Sequence, residues 1–164
     1  MIEDFKVLSD AEFDKLKDAI SLITVYIAGA DGSIDENELK WAEKITTIRG
    51  YSTPNSLKGF YEDVGIDYSD RVTKYVESLS DLDVRNRTVE QKLSELNPIL
   101  DKLDSKLGSE LYKSYLSFAK HVAKASGGFL GFFSIGPAEK AVLNLKMITP
   151  IVWGNEEETP NEAE

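Results

Sequence analysis

Three carboxylates lie close together in residues 30–38, ADGSIDENE, and they are the main candidates for chemistry in this chain. Asp31, Asp35 and Glu38 surround an Asp-Gly turn between an apolar segment and an acid-rich one. Hard cations prefer carboxylate and carbonyl oxygens, and a helix that ends before a turn offers backbone carbonyls without helical partners. The spacing therefore predicts a weak divalent-cation site with these three side chains as ligands and calcium or magnesium as the ion.

The same carboxylates also have a purely structural interpretation. Asp35-x-x-Glu38 fits a capping box, in which two side chains bind the free backbone amides of a helix start, and Asp-Gly is common in turns. An EF-hand is excluded. Placing Asp31 and Glu38 at positions five and twelve of that loop leaves Ile27 and Gly29 at positions one and three, without a side-chain oxygen. A cation site and a role in the fold alone both stay open at this point.

An apolar helix must position the turn from its N-terminal side. Ser9-x-x-Glu12 predicts a capping box at the start of this helix. Apolar residues then recur at spacings of three and four, at Phe13, Leu16, Ile20, Ile23, Ile27 and Ala30. Beyond Ile20 the other faces are apolar too, which is typical of a helix in the middle of a bundle. Gly32 is predicted as the left-handed stop of the helix.

A second helix is expected to follow the turn and end near Gly50. Its predicted apolar face consists of Leu39, Ala42, Ile45 and Ile48. We expect two short helices after it, one starting at Thr53-Pro54 and ending before Gly65, and one from Asp70 to Leu79.

Helical periodicity continues to the end of the chain. Apolar positions recur at Val89, Leu93, Leu96, Leu100, Leu103 and Leu107, where Pro98 predicts a kink or a new helix capped by Asn97. A further helix is expected to stop at Gly127-Gly128, and a last one spans about Pro137 to Met147. Because no segment alternates with a β period, the predicted fold class is all-α, a single compact bundle of about seven helices.

Composition limits the functions open to the chain. Its 164 residues are 41% apolar and 29% charged, which predicts one globular domain, residues 1–153, and a disordered acidic tail, residues 154–164. The net charge is −10, of which the tail supplies −5, and an acidic body argues against nucleic-acid binding. The absence of cysteine excludes disulfides and thiolate chemistry, and the single histidine, His121, argues against a histidine-rich metal site.

The sequence predicts a soluble, cytoplasmic protein. The first residues are acidic and lack an apolar stretch, so we expect no secretory signal. The longest nearly apolar run, residues 19–30, has 12 residues, whereas a membrane-spanning helix needs about 20. Membrane contact is therefore expected only through a partner.

A weak internal repeat connects the turn with a second segment. YIAGADGSIDENELKWAEKI aligns with HVAKASGGFLGFFSIGPAEKAVLNLKMI, which places Asp31-Gly32 opposite Ser126-Gly127 and Glu38 opposite Glu139. Through A-x-A-D-G-S-I-D-x-x-E at 28–38, and through V-A-K-A-S-G-G-F-L-G-F with I-G-P-A-E-K at 122–140, the chain resembles the TerB-like family, the helical domain of bacterial tellurite-resistance operons. The resemblance spans most of residues 9–148.

This resemblance implies an all-helical fold with two pseudo-twofold related helical hairpins and acidic residues in each hairpin turn. It also implies divalent-cation binding and action in stress-response complexes, some of them near the membrane, without an established catalytic activity. The second turn departs from the family pattern, because Ser126 and Gly136 stand where the first turn has Asp31 and Asp35. We therefore expect one cation site, in the first turn, and a helix-starting role for Glu139.

The predicted function is a non-enzymatic domain that binds a divalent cation weakly, with an unidentified protein partner, in a stress-response or tellurite-resistance-type complex. The alternative is a protein-interaction scaffold in which Asp31 and Glu38 serve only the fold. A metallohydrolase fits worst, since catalytic centres need acids that converge with a base or strong ligands. The aromatic segment Phe129–Phe133 is interpreted as packing over the bundle, with a partner or membrane contact as its alternative.

Overall fold

The computed structural model describes residues 2–34, 36–52, 55–127 and 137–154, without the side chains of residues 37, 38, 51, 52, 125–127 and 139. A short 3₁₀ turn, Glu3–Phe5, precedes the α-helices. These helices are α1 (Asp10–Ala28), α2 (Glu36–Ser52), α3 (Asn55–Ser78), α4 (Leu82–Ser94), α5 (Asn97–Leu100), α6 (Ser105–Gly127) and α7 (Pro137–Val142). The described ranges contain no strand, so the all-α prediction is confirmed for them. Of the predicted acidic tail, only Gly154 belongs to the described residues.

The helix α1 is the centre of the bundle, as its sequence predicts. It starts with the expected capping box, in which Ser9 Oγ accepts from Glu12 N at 3.3 Å and Glu12 Oε2 accepts from Ser9 N at 2.9 Å. Every side chain from Ala19 to Ala28 is buried. The helices α2, α3, α4, α6 and α7 all contact it, which explains why its C-terminal half is apolar on every face.

The two short helices expected around Gly65 are a single long helix, α3, so that prediction is wrong. Gly65 lies on an exposed face where an added Cβ would meet nothing within 4 Å. The buried stripe of α3 continues past the glycine without a break, at Leu57, Phe60, Tyr61, Val64, Tyr68 and Val72. Packing of this stripe outweighs the roughly 1 kcal/mol that glycine costs inside a helix.

The inner face of α2 differs from the prediction at Ile48. Ala42 is buried as predicted, and Leu39 and Ile45 pack against the core as partly buried residues. Ile48, however, is 50% exposed, whereas the polar Thr46 is buried. The face of α2 that turns toward α3 and α6 therefore includes a threonine whose hydroxyl donates to Glu43 O at 2.7 Å, so its burial leaves no donor unpaired.

Pro98 starts a new helix, which is one of the two predicted outcomes. It occupies the first turn of the short helix α5, where its missing amide is not needed. Asn97 is not the cap, because its side chain binds the chain beyond α7 instead: Nδ2 donates to Met147 O at 3.0 Å and Oδ1 accepts from Thr149 N at 2.8 Å. All six predicted apolar positions are buried: Val89, Leu93, Leu96, Leu100, Leu103 and Leu107.

The last helix is shorter than predicted, since α7 ends at Val142 rather than near Met147. The chain continues in turns, and Leu145 has a φ of 42°, a backbone conformation that residues other than glycine rarely adopt. Leu145 and Ile148 are both buried. Asn97 holds the backbone on either side of Ile148, so burial of these two side chains and the Asn97 hydrogen bonds together fix the irregular segment.

Candidate functional site

The turn between α1 and α2 is built from hydrogen bonds that follow the last helical residue, Ala28. Gly29 N donates to Val25 O at 3.1 Å and Ala30 N donates to Ile27 O at 3.2 Å. Gly32 then donates back to Gly29 O at 3.0 Å and has a φ of 96°. The left-handed glycine that the sequence predicts is therefore present, but it shapes the turn rather than ending the helix, which stops four residues earlier.

Asp31 lies on the exposed side of this turn. Its Oδ1 accepts a hydrogen bond from Ser33 N at 3.0 Å and one from Ser33 Oγ at 3.1 Å. This is the local bonding that makes aspartate common in turns. Because an ionised carboxylate has about four acceptor positions, Asp31 keeps acceptor capacity for a cation while Ser33 holds it in place.

The other two predicted ligands cannot be placed in the same way. Asp35 lies outside the described residues, and so does the side chain of Glu38. The helix α2 begins at Glu36, so Asp35 directly precedes it in the sequence and Glu38 belongs to its first turn. Among the residues whose side chains are described, no three carboxylate or histidine groups converge in a way that could hold a metal ion. The capping box predicted for Asp35 and Glu38 stays a prediction.

Arg85 is the residue of this site that the sequence analysis missed. It belongs to α4, whose start is capped by Asp81 Oδ1, an acceptor for Val84 N at 2.9 Å. The side chain is only 3% exposed, and its Nη2 donates to Gly29 O at 2.8 Å. A positive charge at the C-terminus of a helix is favourable, because the unpaired carbonyls there carry partial negative charge. Arg85 therefore neutralises the end of α1.

Burial lowers the pKa of Arg85, and the negative charges of Asp31 and Asp81 oppose this effect. Nothing in the sequence around residue 85 marks this role, since VRNR on a polar helix is typical of an exposed face. Its position depends on how α4 crosses α1.

This geometry bears directly on the fit of a cation. The described part of the turn fits a divalent ion through the exposed carboxylate of Asp31. It does not fit one through the carbonyl of Gly29, because Arg85 and Gly32 both donate to that oxygen. An ion at this turn would therefore be held through Asp31 and not through the Gly29 carbonyl.

A second group of charged residues joins α1 to α3. Arg71 donates to Asp14 Oδ1 at 2.5 Å and to Asp67 Oδ2 at 2.7 Å, and its Nη1 lies 3.3 Å from Asp18 Oδ1. Tyr75 donates to the other oxygen of Asp18 at 2.5 Å. These side chains line a cleft of about 420 Å³. Since the guanidinium already occupies the space between the carboxylates, the cluster is an ion-pair network between helices rather than a set of open ligands.

A third polar cluster connects α2 to α6. Arg49 donates to Ser114 Oγ at 3.0 Å and to Ser117 Oγ at 2.9 Å, and its guanidinium lies over the ring of Phe118. His121 is exposed, and its Nδ1 is 2.7 Å from the carbonyl oxygen of Ser117. A carbonyl only accepts, so this nitrogen carries the proton.

The second predicted hairpin turn lies largely outside the described residues. This applies to residues 128–136, which include the Phe129–Phe133 segment and Gly136, and to the side chains of Ser126 and Glu139. The helices that flank it are described: α6 ends at Gly127 and α7 begins at Pro137. A helix therefore precedes the segment and a helix that carries Glu139 follows it, while the relation between the two hairpins stays a prediction.

No protein-family model, curated protein or solved structure matches this chain. The fold itself defines the class only as an all-helical bundle organised around one buried helix. Within the described ranges, none of the helices combines the length and the apolar character needed to cross a membrane.

Proposed function

We propose that this chain is a non-enzymatic helical domain that binds a divalent cation, calcium or magnesium, weakly at the turn between α1 and α2. The observation that carries the proposal is the exposed carboxylate of Asp31, held by Ser33 just beyond the end of α1. The helix α2 starts at Glu36, so Asp35 and Glu38 follow within a few residues along the chain. Carboxylates gathered on one short segment are the ligand type that both ions prefer.

The cellular setting is proposed from the resemblance to the TerB-like family. In this proposal α1–α2 and α6–α7 are the two related hairpins of that family, and the domain acts in a cytoplasmic stress-response or tellurite-resistance-type complex with a protein partner. Nucleic acid is not among the proposed partners, because the body of the protein is acidic. Contact with a membrane would come through the partner.

Binding is tested by titrating calcium and magnesium while the amide chemical shifts and the melting temperature are followed. We expect a dissociation constant of about 10⁻⁴ to 10⁻³ M, the weak end of calcium sites. At an ion concentration ten times the dissociation constant, binding to the folded state should raise the free energy of unfolding by about 1.4 kcal/mol. Asp31→Asn should abolish both effects, and Asp101→Asn, which removes the same charge from an exposed turn after α5, should preserve them.

A different result would count against the cation. If 10 mM calcium and 10 mM magnesium both leave the melting temperature and the amide shifts of residues 30–34 unchanged, the wild-type turn binds neither ion at the proposed strength. Equal loss of binding in Asp31→Asn and Asp101→Asn would also sink the proposal, because it would show that only the overall charge matters.

A protein-interaction scaffold is the second candidate, and the outer face of α2 favours it. Trp41 and Ile48 are each 50% exposed there, and Lys44 Nζ lies 4.9 Å from the centre of the Trp41 ring. Tryptophan is among the residues that most often anchor a protein interface. In cross-linking from the native host, Trp41→Ser should lose the partner, while Ile66→Ser, which changes a 78% exposed residue on α3, should retain it. Equal recovery with both variants would exclude this face.

A further inference from the structure

Arg85 approaches the backbone at the end of α1 more closely than any residue other than glycine would allow. A Cβ atom built on Gly29 would lie 2.6 Å from Arg85 Nη2 and 2.8 Å from its Cζ. A Cβ atom essentially never makes contacts under 3.0 Å, so an alanine at position 29 would push away the guanidinium and also the Val25 carbonyl oxygen, which lies 2.7 Å from the built atom. The glycine and the arginine therefore form one unit, which holds a positive charge at the carbonyl end of the helix.

Two carboxylates act on the same guanidinium. Asp31 in the turn and Asp81 at the start of α4 both stabilise its charge. Arg85 Nε is buried and has no hydrogen-bond partner in the described part of the chain. Among the described residues, the side chain is held by its hydrogen bond to the Gly29 carbonyl and by the field of two aspartates. A divalent ion at this turn would be attracted by those same oxygens and repelled by the arginine.

We propose that Arg85 is the resident cation of the turn between α1 and α2 and that it sets how weakly the turn binds free divalent ions. The inference rests on the proposed function, because it concerns the same turn. Arg85 occupies the Gly29 carbonyl, which removes one oxygen from the ligands of an ion, and its charge lies near Asp31. Without that charge, the negative charges of Asp31 and Asp81 are no longer compensated, and the turn should bind a divalent ion from solvent more tightly.

The test compares the calcium affinities of four proteins at an ionic strength of about 0.15 M, where the Debye length is about 8 Å: wild type, Arg85→Gln, Arg85→Lys and Arg87→Gln. Arg85→Gln removes the charge and keeps a polar side chain at this position. We expect it to bind calcium at least about fivefold more tightly, the size expected when a unit charge near a divalent ion is removed in a water-like surrounding. Arg85→Lys keeps the charge and should retain the wild-type affinity.

Arg87→Gln is the matched control. Arg87 is exposed two residues further along α4, and its Nε donates to Asp83 O at 3.2 Å. Its substitution changes the net charge of the protein by the same amount as Arg85→Gln. It should leave the calcium affinity within about twofold of wild type, because charges on an exposed face are screened.

The outcomes distinguish the role of Arg85 from the proposed cation binding of the wild-type protein. If wild type binds calcium and Arg85→Gln binds no more tightly than Arg87→Gln, the role of Arg85 is refuted while the proposed function stands. If wild type does not bind and Arg85→Gln does, the role of Arg85 stands and the proposed function fails. If neither binds, both fail.

Because Arg85 is buried, a second measurement covers the case in which Arg85→Gln does not fold. If Arg85→Gln is unfolded without ions, 10 mM calcium should restore its helical circular dichroism, because the ion replaces the missing charge. A variant that stays unfolded in calcium would refute the inference.

Discussion

Two arginines hold the central helix α1 at different places and by different chemistry. Arg71 of α3 binds Asp14 and Asp18 in the first half of α1, together with Asp67 of its own helix. Arg85 of α4 binds a single neutral oxygen, the carbonyl of Gly29 beyond the last residue of α1. One arginine thus pairs with side chains that carry full charges, and the other with the partial charges of a helix end.

The two arginines also differ in how far they are exposed to solvent. Arg71 is 19% exposed and its partner Asp14 is 52% exposed, whereas Arg85 is 3% exposed. Hydrogen bonding to Asp67 raises the pKa of Arg71, while burial lowers the pKa of Arg85. Salt and pH should therefore weaken the interactions of Arg71 more than those of Arg85, whose hydrogen-bond partner is a neutral carbonyl. The comparison teaches that the buried guanidinium is held by a hydrogen bond to the backbone. The partly exposed one is held by charged side chains that water can solvate instead.

The largest effect is expected when Arg85 is removed. Arg85→Ala leaves the buried Gly29 carbonyl without its charged donor, and hydrogen bonds to charged groups contribute about 1.5–3 kcal/mol. We expect the free energy of unfolding, measured in urea, to fall by about 2–3 kcal/mol. Arg87→Ala, on the exposed face of the same helix, should change it by less than about 0.5 kcal/mol. Similar losses in both variants would mean that the carbonyl contact contributes nothing.

Removal of Arg71 should cost less. The ion pairs of Arg71 are partly exposed, and such pairs contribute about 0.2–1 kcal/mol each in measured cases. For Arg71→Ala we expect the free energy of unfolding to fall by about 1 kcal/mol at neutral pH and low salt, and by less in 1 M sodium chloride, where the Debye length is about 3 Å. If Arg71→Ala is more destabilising than Arg85→Ala, the order inferred from burial is wrong.

The smallest effect is a difference in pH dependence. The hydrogen bond from Arg71 holds the pKa of Asp14 below its ordinary value. A carboxyl with a lowered folded-state pKa contributes stability above its unfolded pKa of about 3.9, and this contribution is lost as the pH falls through the folded-state value. The difference in unfolding free energy between wild type and Arg71→Ala should therefore shrink from pH 7 to pH 2.5.

The main partner of Arg85 gives a different expectation, because a carbonyl does not titrate in this range. The difference between wild type and Arg85→Ala should shrink less than that of Arg71→Ala from pH 7 to pH 2.5 in the same urea experiments, because only the field of Asp31 and Asp81 is lost. A difference that shrinks as steeply as that of Arg71→Ala would show that Arg85 is stabilised mainly by Asp31 and Asp81, and no longer by the helix end.

The sequence predicts the local features of this fold well. The capping box at Ser9, the helical stripe from Phe13 to Ile27 and the new start at Pro98 are all present. The turn that carries Asp31 also lies where the Asp-Gly pair predicts it. These features depend on residues within four positions of one another, and a helix sets those neighbours side by side wherever it packs.

The remaining features were decided by contacts between helices. Gly65 stays inside α3 because α1 and α2 pack on the buried stripe of that helix, on a face away from the glycine. Ile48 is half exposed because α2 turns Ala42 and Thr46 inward. Arg85 reaches Gly29 across 56 residues of sequence. A local pattern tells which residues share a helix face, but only the packed bundle determines which face is buried and which charge meets the end of another helix.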